Sequence, residues 1–450
     1  MKNYQIDMCE GSILPKMISF SLPLMFSGLL QLLFNAADIV VVGRFAGENS
    51  LAAVGSTSSL VNLMVNLFIG LSIGANVTAA RFFGAKKFDE LSDTIHTSMM
   101  ISIVSGVIMT IVGYFCSEGA LRLMSTPEEI LPLAASYMRI YFLGMIANMV
   151  YNFGSAILRA SGDTKRPLYY LLAAGVLNVI LNLIFVIALD MDVQGVALAT
   201  VISQMLSAGL IIRCLMREEG PFRLVLSKLH IHSSKLVMIL KIGIPAGFQG
   251  ILFSLSNVVI QSSVNSFGSI VVAGNSAAVN LEGFVYVSMN SFYQSAISFV
   301  SQNYGAGRYD RIDRSVIIAL TCVTVTGVVL GTLSLIFARP LLSVYSTNPD
   351  VVDAGVARMA VIMRTYCLCG MMDVMVGALR GIGRSALPMI VSFIGVCGFR
   401  LVWIFTVFRL PEFHSVRTIY ISYPISWAVA FGANVICFMI MRKKIRTRPF

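Results

Sequence analysis

The chain has 450 residues, 57% of them hydrophobic and only 12% charged, with a mean hydropathy of +0.82. A soluble domain carries about 25% charged residues, so this composition excludes an ordinary water-exposed globular core and points to a multi-span membrane protein. The formal charge of +11 would fit a nucleic-acid binder, but the lysines and arginines lie in short connections between apolar runs, where they set membrane orientation.

The first apolar segment, 15–43, reads PKMISFSLPLMFSGLLQLLFNAADIVVVG. As a helix it would rise roughly 42 Å, more than a hydrocarbon core of about 30 Å, so it spans with tilt or bend. Pro23 removes one backbone hydrogen bond and permits a kink. Asp38 puts a carboxylate in the second half, at a cost of at least about 2.5 kcal/mol if it meets hydrocarbon. Two readings stand: Asp38 faces a wet interior and acts there, or it is solvated at headgroup level. Asp7 and Glu10 precede a segment too long for the apolar region of a signal peptide, so no cleaved leader is expected.

Eleven further segments follow at about 50–80, 94–116, 131–158, 167–189, 193–216, 236–266, 271–304, 315–338, 352–379, 386–408 and 418–441. The expected fold is all-α, with twelve transmembrane helices. One face receives Lys2, Lys16, Arg81, Lys86, Lys87, Arg159, Lys165, Arg166, the 213–241 connection, Arg308, Arg311, Arg314, Arg380, Arg384 and the tail RKKIRTR (442–448). The other receives Arg44, Arg122, Arg139, Arg339, Arg358, Arg409 and Arg417, the smaller share of the 33 lysines and arginines. Both termini are therefore expected in the cytoplasm, in a cell (plasma or inner) membrane. The eight cysteines fall mostly inside apolar helices and read as small core residues.

The longest polar connection, 217–235, falls midway and reads as a weakly amphipathic interfacial helix joining two halves. It divides the chain into 1–216, 217–235 and 236–450. His230 and His232 lie in it and read as solvated loop histidines. The halves are related in sequence. LRASGDTKRP (158–167) matches LRGIGRSALP (379–388), and RFFGAKKFD (81–89) matches QNYGAGRYD (302–310), both at an offset of 221. Pro23 matches Pro245 at 222, which marks the two prolines as candidate hinges. With six spans per half, the copies run in the same sense across the membrane, as in transporters built from parallel repeats.

Polar residues inside spans supply the candidate site. Asn178 with Asn182, and Thr200 with Gln204, are i, i+4 pairs on one helix face; the fourth span adds Tyr137, Asn148 and Asn152. If spans 1, 4, 5 and 6 surround one cavity, Asp38, Asn152, Asn178, Asn182 and Thr200 form a hydrogen-bonded cluster with one titratable member. Each amide or hydroxyl taken alone is better explained as helix glue worth about 0.6 kcal/mol. Gln31 and Asn35 are further cavity candidates on the first span. In the second half Glu282, Asp373 and Arg400 either line a substrate cavity or satisfy one another, with Arg364 and Arg400 as partners for the two acids.

These motifs in order resemble the multidrug and toxic compound extrusion (MATE) family over essentially the whole chain, bacterial members similar to the DNA-damage-inducible type above all. The resemblance rests on Pro23, Asp38 with Val-Gly-Arg44, the Gly84-Ala-Lys loop, LRASGDTKRP, Asn178 to Asn182, VQGVALATVISQ (193–204), QNYGAG (302–307) and LRGIGRS (379–385). It implies two six-helix lobes in a V and antiport of cationic or amphipathic drugs against H⁺ or Na⁺. It also implies an ion-coupling network around Asp38 and Asn178, with Tyr137, Asn152 and Thr200 at network positions. Relatives often carry Asp where this chain has Asn182. Asp38 is then the one acid of the cluster, which favours H⁺ over Na⁺.

The resemblance implies no cofactor and a small-molecule partner within a lipid bilayer. One chain carries both halves, so a monomer is expected. No P-loop, HExxH or G-x-S-x-G elbow is read, so no enzyme is expected. The runner-up is a flippase for a lipid or lipid-linked saccharide of the same architecture, which would line a larger cavity with cations.

Overall fold

The structure, a computed structural model, describes residues 4–447, without the side chains of Ser59, Arg446 and Thr447; Lys2 and Arg448, counted above among the inner-face cations, lie outside the described residues. Among the described residues the chain forms helices joined by turns and irregular connections, with no strand. The α-helices are Ile13–Val41 (α1), Glu48–Gly84 (α2), Phe88–Leu123 (α3), Leu131–Leu143 (α4), Met145–Ala160 (α5), Lys165–Leu183 (α6), Asp192–Met216 (α7), Ser233–Asn265 (α8), Ser269–Gly305 (α9), Tyr309–Ile336 (α10), Ala338–Ser343 (α11), Pro349–Gly381 (α12), Ala386–Ser392 (α13), Phe399–Phe405 (α14) and Val416–Thr447 (α15).

Eleven helical segments are long and apolar enough to cross a membrane, and α4 with α5, bent by 48°, completes the twelve read from the sequence. The bend falls at Gly144, where a Cβ would lie 2.8 Å from Gln204 Oε1 of α7. Three helices continue through π-turns, at Val42–Ala46, Ile184–Ala188 and Phe393–Gly398.

By packing the chain divides into two compact units. One comprises Phe26–Gly247 with the N-terminal residues up to Asp7; the other comprises Phe248 onward with Met8–Met25. These units do not coincide with the division at 1–216 and 236–450. The first part of α1 packs with the second unit, and residues 217–247 pack with the first. Each crossing falls two residues after a proline, Pro23 or Pro245, where the helix lacks one backbone hydrogen bond.

In the first unit α3 packs on α5, α4 and α2, while α7 packs on α4, α5 and α6. Residues 233–247 of α8 approach α2 through two glycine pairs, Gly70 with Gly74 and Gly243 with Gly247. A Cβ at Gly74 would overlap Ile239 O, and one at Gly70 the backbone of Gly247. This is the small-xxx-small contact of membrane helices, which let backbones touch where lipid offers no hydrophobic drive. The stretch Gly70-Leu71-Ser72-Ile73-Gly74 also spells G-x-S-x-G, which corrects the reading that the chain contains none. It lies within a continuous helix, and Ser72 is buried and donates to Ile69 O at 2.7 Å, so it is not a nucleophile elbow.

The connection after α7 is also corrected. It is extended, with a single 3-10 turn at Leu226–Lys228, rather than an interfacial helix. Phe222 and Leu224 leave the surface to join a core with Leu91, Ile95 and Ile211. His96 fixes it from α3: one ring nitrogen bonds Ser92 O at 2.7 Å, and Nε2 accepts from Val225 N–H at 3.1 Å. The loop before α6 has structural partners as well. Asp163, fully buried, accepts from the backbone N–H of Lys165 and Arg166 and from the Arg166 side chain. Burial pushes its carboxyl above its ordinary value, against the pull of Arg166.

In the second unit α12 packs on α9, α10 and α15. Its core includes Val300, Ile312, Met375, Leu379 and Phe438. The first part of α1 joins this unit through Phe20 against Phe299, and Ser21 shares a 2.6 Å hydrogen bond with Ser295.

Candidate functional site

Gln31, Asn35 and Asp38 follow at i, i+4 and i+7, so α1 presents them on one face. They line a cavity of about 460 Å³ in the first unit, within the range of about 300–1,000 Å³ that holds drug-sized ligands. The cavity is also lined by Tyr137, Asn152, Asn178 and Thr200. Seven of the residues singled out on the sequence thus line one cavity, and the eighth, Asn182, is bonded to Asp38 and Asn178.

Asn182 is fully buried and donates Nδ2–H to the Asp38 carboxylate. The same amide reaches Asn178 Oδ1 at 3.3 Å, and Asn178 Nδ2–H reaches Thr200 Oγ1 at 3.4 Å. The Thr200 hydroxyl donates to Val196 O at 2.9 Å. A chain of amides and a hydroxyl therefore runs from α7 across α6 to the one carboxylate of the cavity. Both Asp38 and Asn182 sit just before a π-turn, Val42–Ala46 and Ile184–Ala188 respectively, a local widening frequent at functional sites. Asn182 Oδ1 is buried without a hydrogen-bond partner.

In the same cavity lining, Tyr137 and Tyr141 stack with ring centroids 6.1 Å apart and planes 19° from parallel. Asn152 donates to Asn148 Oδ1 at 2.9 Å. The sequence reading passed over Tyr141, Thr57, Ser58, Asn62, Ser203 and Ser207, which also line the cavity, and noted Asn148 and Gln204 without placing them there. The i, i+4 rule that found Asn178 with Asn182 would have found Ser58 with Asn62 on α2.

Glu282, Asp373 and Arg400 belong to the second unit and take no part in this cavity. The expectation that Arg364 or Arg400 pairs with Glu282 is corrected. Arg364 is exposed, and the partner is Arg358, placed on the sequence among outer-face connections but only 4% exposed. Arg358 meets Glu282 with both Nε and Nη2 at 2.7 Å and gives Nη1 to Asn275 Oδ1 at 2.9 Å. Tyr420 and Tyr423 cover the guanidinium at 5.3 Å each. Arg380, also read as a loop cation, is buried against the Tyr293 hydroxyl and Gln249 Oε1. Asp373 is half-buried on α12 with Tyr286 and Arg380 facing it. Arg400 bonds Ser426 and lies over aromatic rings.

A family model described as MatE matches the chain twice, over residues 23–184 and 245–406. The two matches are offset by 222 at both ends, as Pro23 and Pro245 are. Counted from the nearer end of each match, Asp38 corresponds to Ile260 and Asn182 to Ile404. The probable multidrug resistance protein YoeA of Bacillus subtilis is 26% identical over 428 residues, covering 94% of this chain and 92% of that one. The probable multidrug resistance protein YpnP of the same organism is 28% identical over 401 residues, 88% of each. Among solved structures, a MOP superfamily transporter from Pyrococcus furiosus matches the fold with a TM-score of 0.89 at 20% identity over 97% of both chains.

Proposed function

We propose, from the premise that this chain belongs to the MatE family, that it exports cationic and amphipathic small molecules by antiport, in exchange for an ion that enters at Asp38. The chain is a multi-pass membrane transporter of the multidrug-efflux kind and not an enzyme. The observation that carries the ion assignment is the first-unit cavity, whose single carboxylate stands at the end of a hydrogen-bonded chain of Asn182, Asn178 and Thr200.

Ionised, Asp38 accepts the Asn182 N–H and attracts a cation in the cavity. Protonated, it is neutral and gains an O–H donor. Asn182 Oδ1, which has no partner, is the acceptor its amide can turn toward that donor. A proton and a cationic cargo thus compete for one group, the minimum requirement for exchange. One carboxylate balances one proton, which favours H⁺ over Na⁺ as the coupling ion. Tyr137, Asn152, Gln31 and Asn35 supply the neutral walls. Pro23 and Pro245 are the bending points at which α1 and α8 change packing partners. The protein acts as a monomer in a cell membrane with both termini in the cytoplasm.

The test is ethidium efflux from reconstituted vesicles with a pH gradient or a sodium gradient imposed separately, for wild type and Asp38→Asn. The expected result is efflux driven by the pH gradient alone and lost in the variant. Full efflux by a well-folded Asp38→Asn protein overturns the assignment of Asp38.

A further inference from the structure

Among the described residues the chain passes between the two units three times. Two passages lie within helices, just after Pro23 and Pro245, where a helix can bend. The third, between Asp7 and Met8, is irregular backbone, and the chain is bound on both sides of it. In the first unit Gln5 Nε2–H donates to Glu218 Oε1 at 3.1 Å, and a Cβ at Gly162 would overlap the Ile6 backbone. In the second unit side chains at the turn from α9 to α10 take four successive main-chain carbonyls. Asn303 Nδ2–H donates to Met8 O at 3.1 Å and Arg308 Nη1–H to Cys9 O at 2.7 Å. Arg311 donates to Met8 O, Glu10 O and Gly11 O at 3.1, 3.2 and 2.9 Å. Met8 is fully buried there, and Gly11, with a φ of +65° that favours glycine, turns the chain into α1. Asn303 and Arg308 belong to QNYGAGRYD; at the offset of 221 the first unit has Phe82 and Lys87, so this docking is not part of the repeat.

We propose that Met8–Gly11 is a releasable latch: docked on Asn303, Arg308 and Arg311 it keeps the first part of α1 in the second unit, and its undocking is a step of the transport cycle that frees this part to swing about Pro23. The step rests on the efflux reading given above; the docking does not. The argument starts from chain length. From Ile6 to Met8 two residues reach at most about 7 Å, so the passage has no slack, and a larger shift of either attachment breaks one set of bonds. The set on the second unit is the one built to exchange with water. Its bonds to Cys9 O, Glu10 O and Gly11 O are exposed, and a main-chain carbonyl released there is at once hydrated. They read backbone only, so the segment can dock again without a side-chain fit. The matched segment of the other repeat, at the offset of 222, is 230–247, which packs in the first unit. It is held differently. Gly243 and Gly247 lie backbone to backbone with Gly70 and Gly74, and Lys235 pairs with Glu90, the position matched to Arg311. Close glycine contacts within spans have no water to replace them. Beyond the latch, α1 meets the second unit through side chains, Phe20 on Phe299 and Ser21 with Ser295. Of the two matched segments, α1 therefore carries the releasable one.

The experiment has two arms on the full-length protein. The first is amide hydrogen exchange read by mass spectrometry, which needs no transport. With Arg308→Gln and Arg311→Gln combined, residues 8–22 are expected to exchange at least about tenfold faster, while 233–247 change less than about twofold. Arg311→Lys, which keeps the charge but loses the fork that spans three carbonyls, carries the same comparison if the double variant does not fold. No change at 8–22, or an equal change at 233–247, overturns the latch. The second arm tests release. Arg308→Cys, in a background whose cysteines other than Cys9 are alanine, is bridged to Cys9 by a bismaleimide that contains a reducible disulfide. Bridging is expected to slow gradient-driven ethidium efflux at least about tenfold, and reduction to restore it. Bridged protein that exports at the unbridged rate overturns the release step and leaves the efflux reading standing. Absence of efflux before bridging, in wild type as well, overturns the efflux reading and the release step together, and the exchange arm then decides the docking alone.

Discussion

A single amide separates the Asp38 site from one with two carboxylates. Asn182 lies behind Asp38 and donates to it, so Asn182→Asp would place a second acid against the first. Two facing carboxylates form a better cage for a bound cation than one carboxylate and an amide. The expected outcome for Asn182→Asp is efflux that sodium stimulates, read as dye efflux in sodium against potassium medium at fixed pH. Sodium indifference would show that carboxylate number does not set ion choice. In the second unit the informative residue is Glu282. It satisfies Arg358 through two hydrogen bonds in a pair that is nearly inaccessible. Removing one member of a buried pair leaves an uncompensated charge, worth about 3–5 kcal/mol. Glu282→Ala should therefore lower the thermal unfolding midpoint markedly, whereas Glu282→Met combined with Arg358→Met should recover most of the loss. Equal midpoints for the single and double variants would contradict a structural role for the pair.

Helices carry the part of the architecture that periodicity and composition expose. The spans follow from apolar length and punctuation, because a bilayer leaves little choice to a segment of that length, and the repeat from matched loops and prolines; the bend of the fourth span at Gly144 was not read from the sequence. What the sequence concealed depends on which face of a helix meets which neighbour. Arg358 sits near the start of a long apolar segment and reads as a loop cation until α9 brings Glu282 against it. The 217–235 connection reads as amphipathic because Phe222 and Leu224 are apolar, but they serve the core and not a lipid surface. The glycines at 70, 74, 243 and 247 stand in pairs at the i, i+4 spacing of a close helix contact, but only the packing of α2 with α8 shows that the two pairs meet each other. Gly74→Leu should force those backbones apart, since even a Cβ overlaps Ile239 O there. A loss of about 1–3 kcal/mol is expected from such overpacking, measured as a lower unfolding midpoint with reduced efflux. A midpoint equal to wild type would mean that α8 does not need this close approach.

Across the whole molecule the repeat is a matter of backbone and not of chemistry. Matched positions place Ile260 against Asp38 and Ile404 against Asn182, and these two isoleucines share a buried apolar cluster with Phe408, Ile419 and Tyr420. The hydrogen-bonded pair of one unit is thus a hydrocarbon contact in the other. This explains why self-comparison of the sequence found loops and prolines but not the Asp38 cavity: the repeated residues lie in loops and at bends, and the residues lining the cavity differ between the halves. The first-unit site was legible because Asp38 is costly in an apolar run and its amides recur at helical spacing. The second-unit charges were not legible, because which arginine meets which acid is decided by packing between helices distant in sequence. If exchange depends on the first-unit cavity, moving the pair across should not restore it. The triple variant Asp38→Asn, Ile260→Asp, Ile404→Asn recreates the acid and amide at matched positions of the second unit, where the residues are enclosed by apolar neighbours. It should remain inactive in gradient-driven dye efflux and unfold at lower temperature than Asp38→Asn, because two polar groups replace a packed apolar contact. Recovery of efflux would show instead that either repeat can host the ion, and that the acid was kept in the first unit for no reason of geometry.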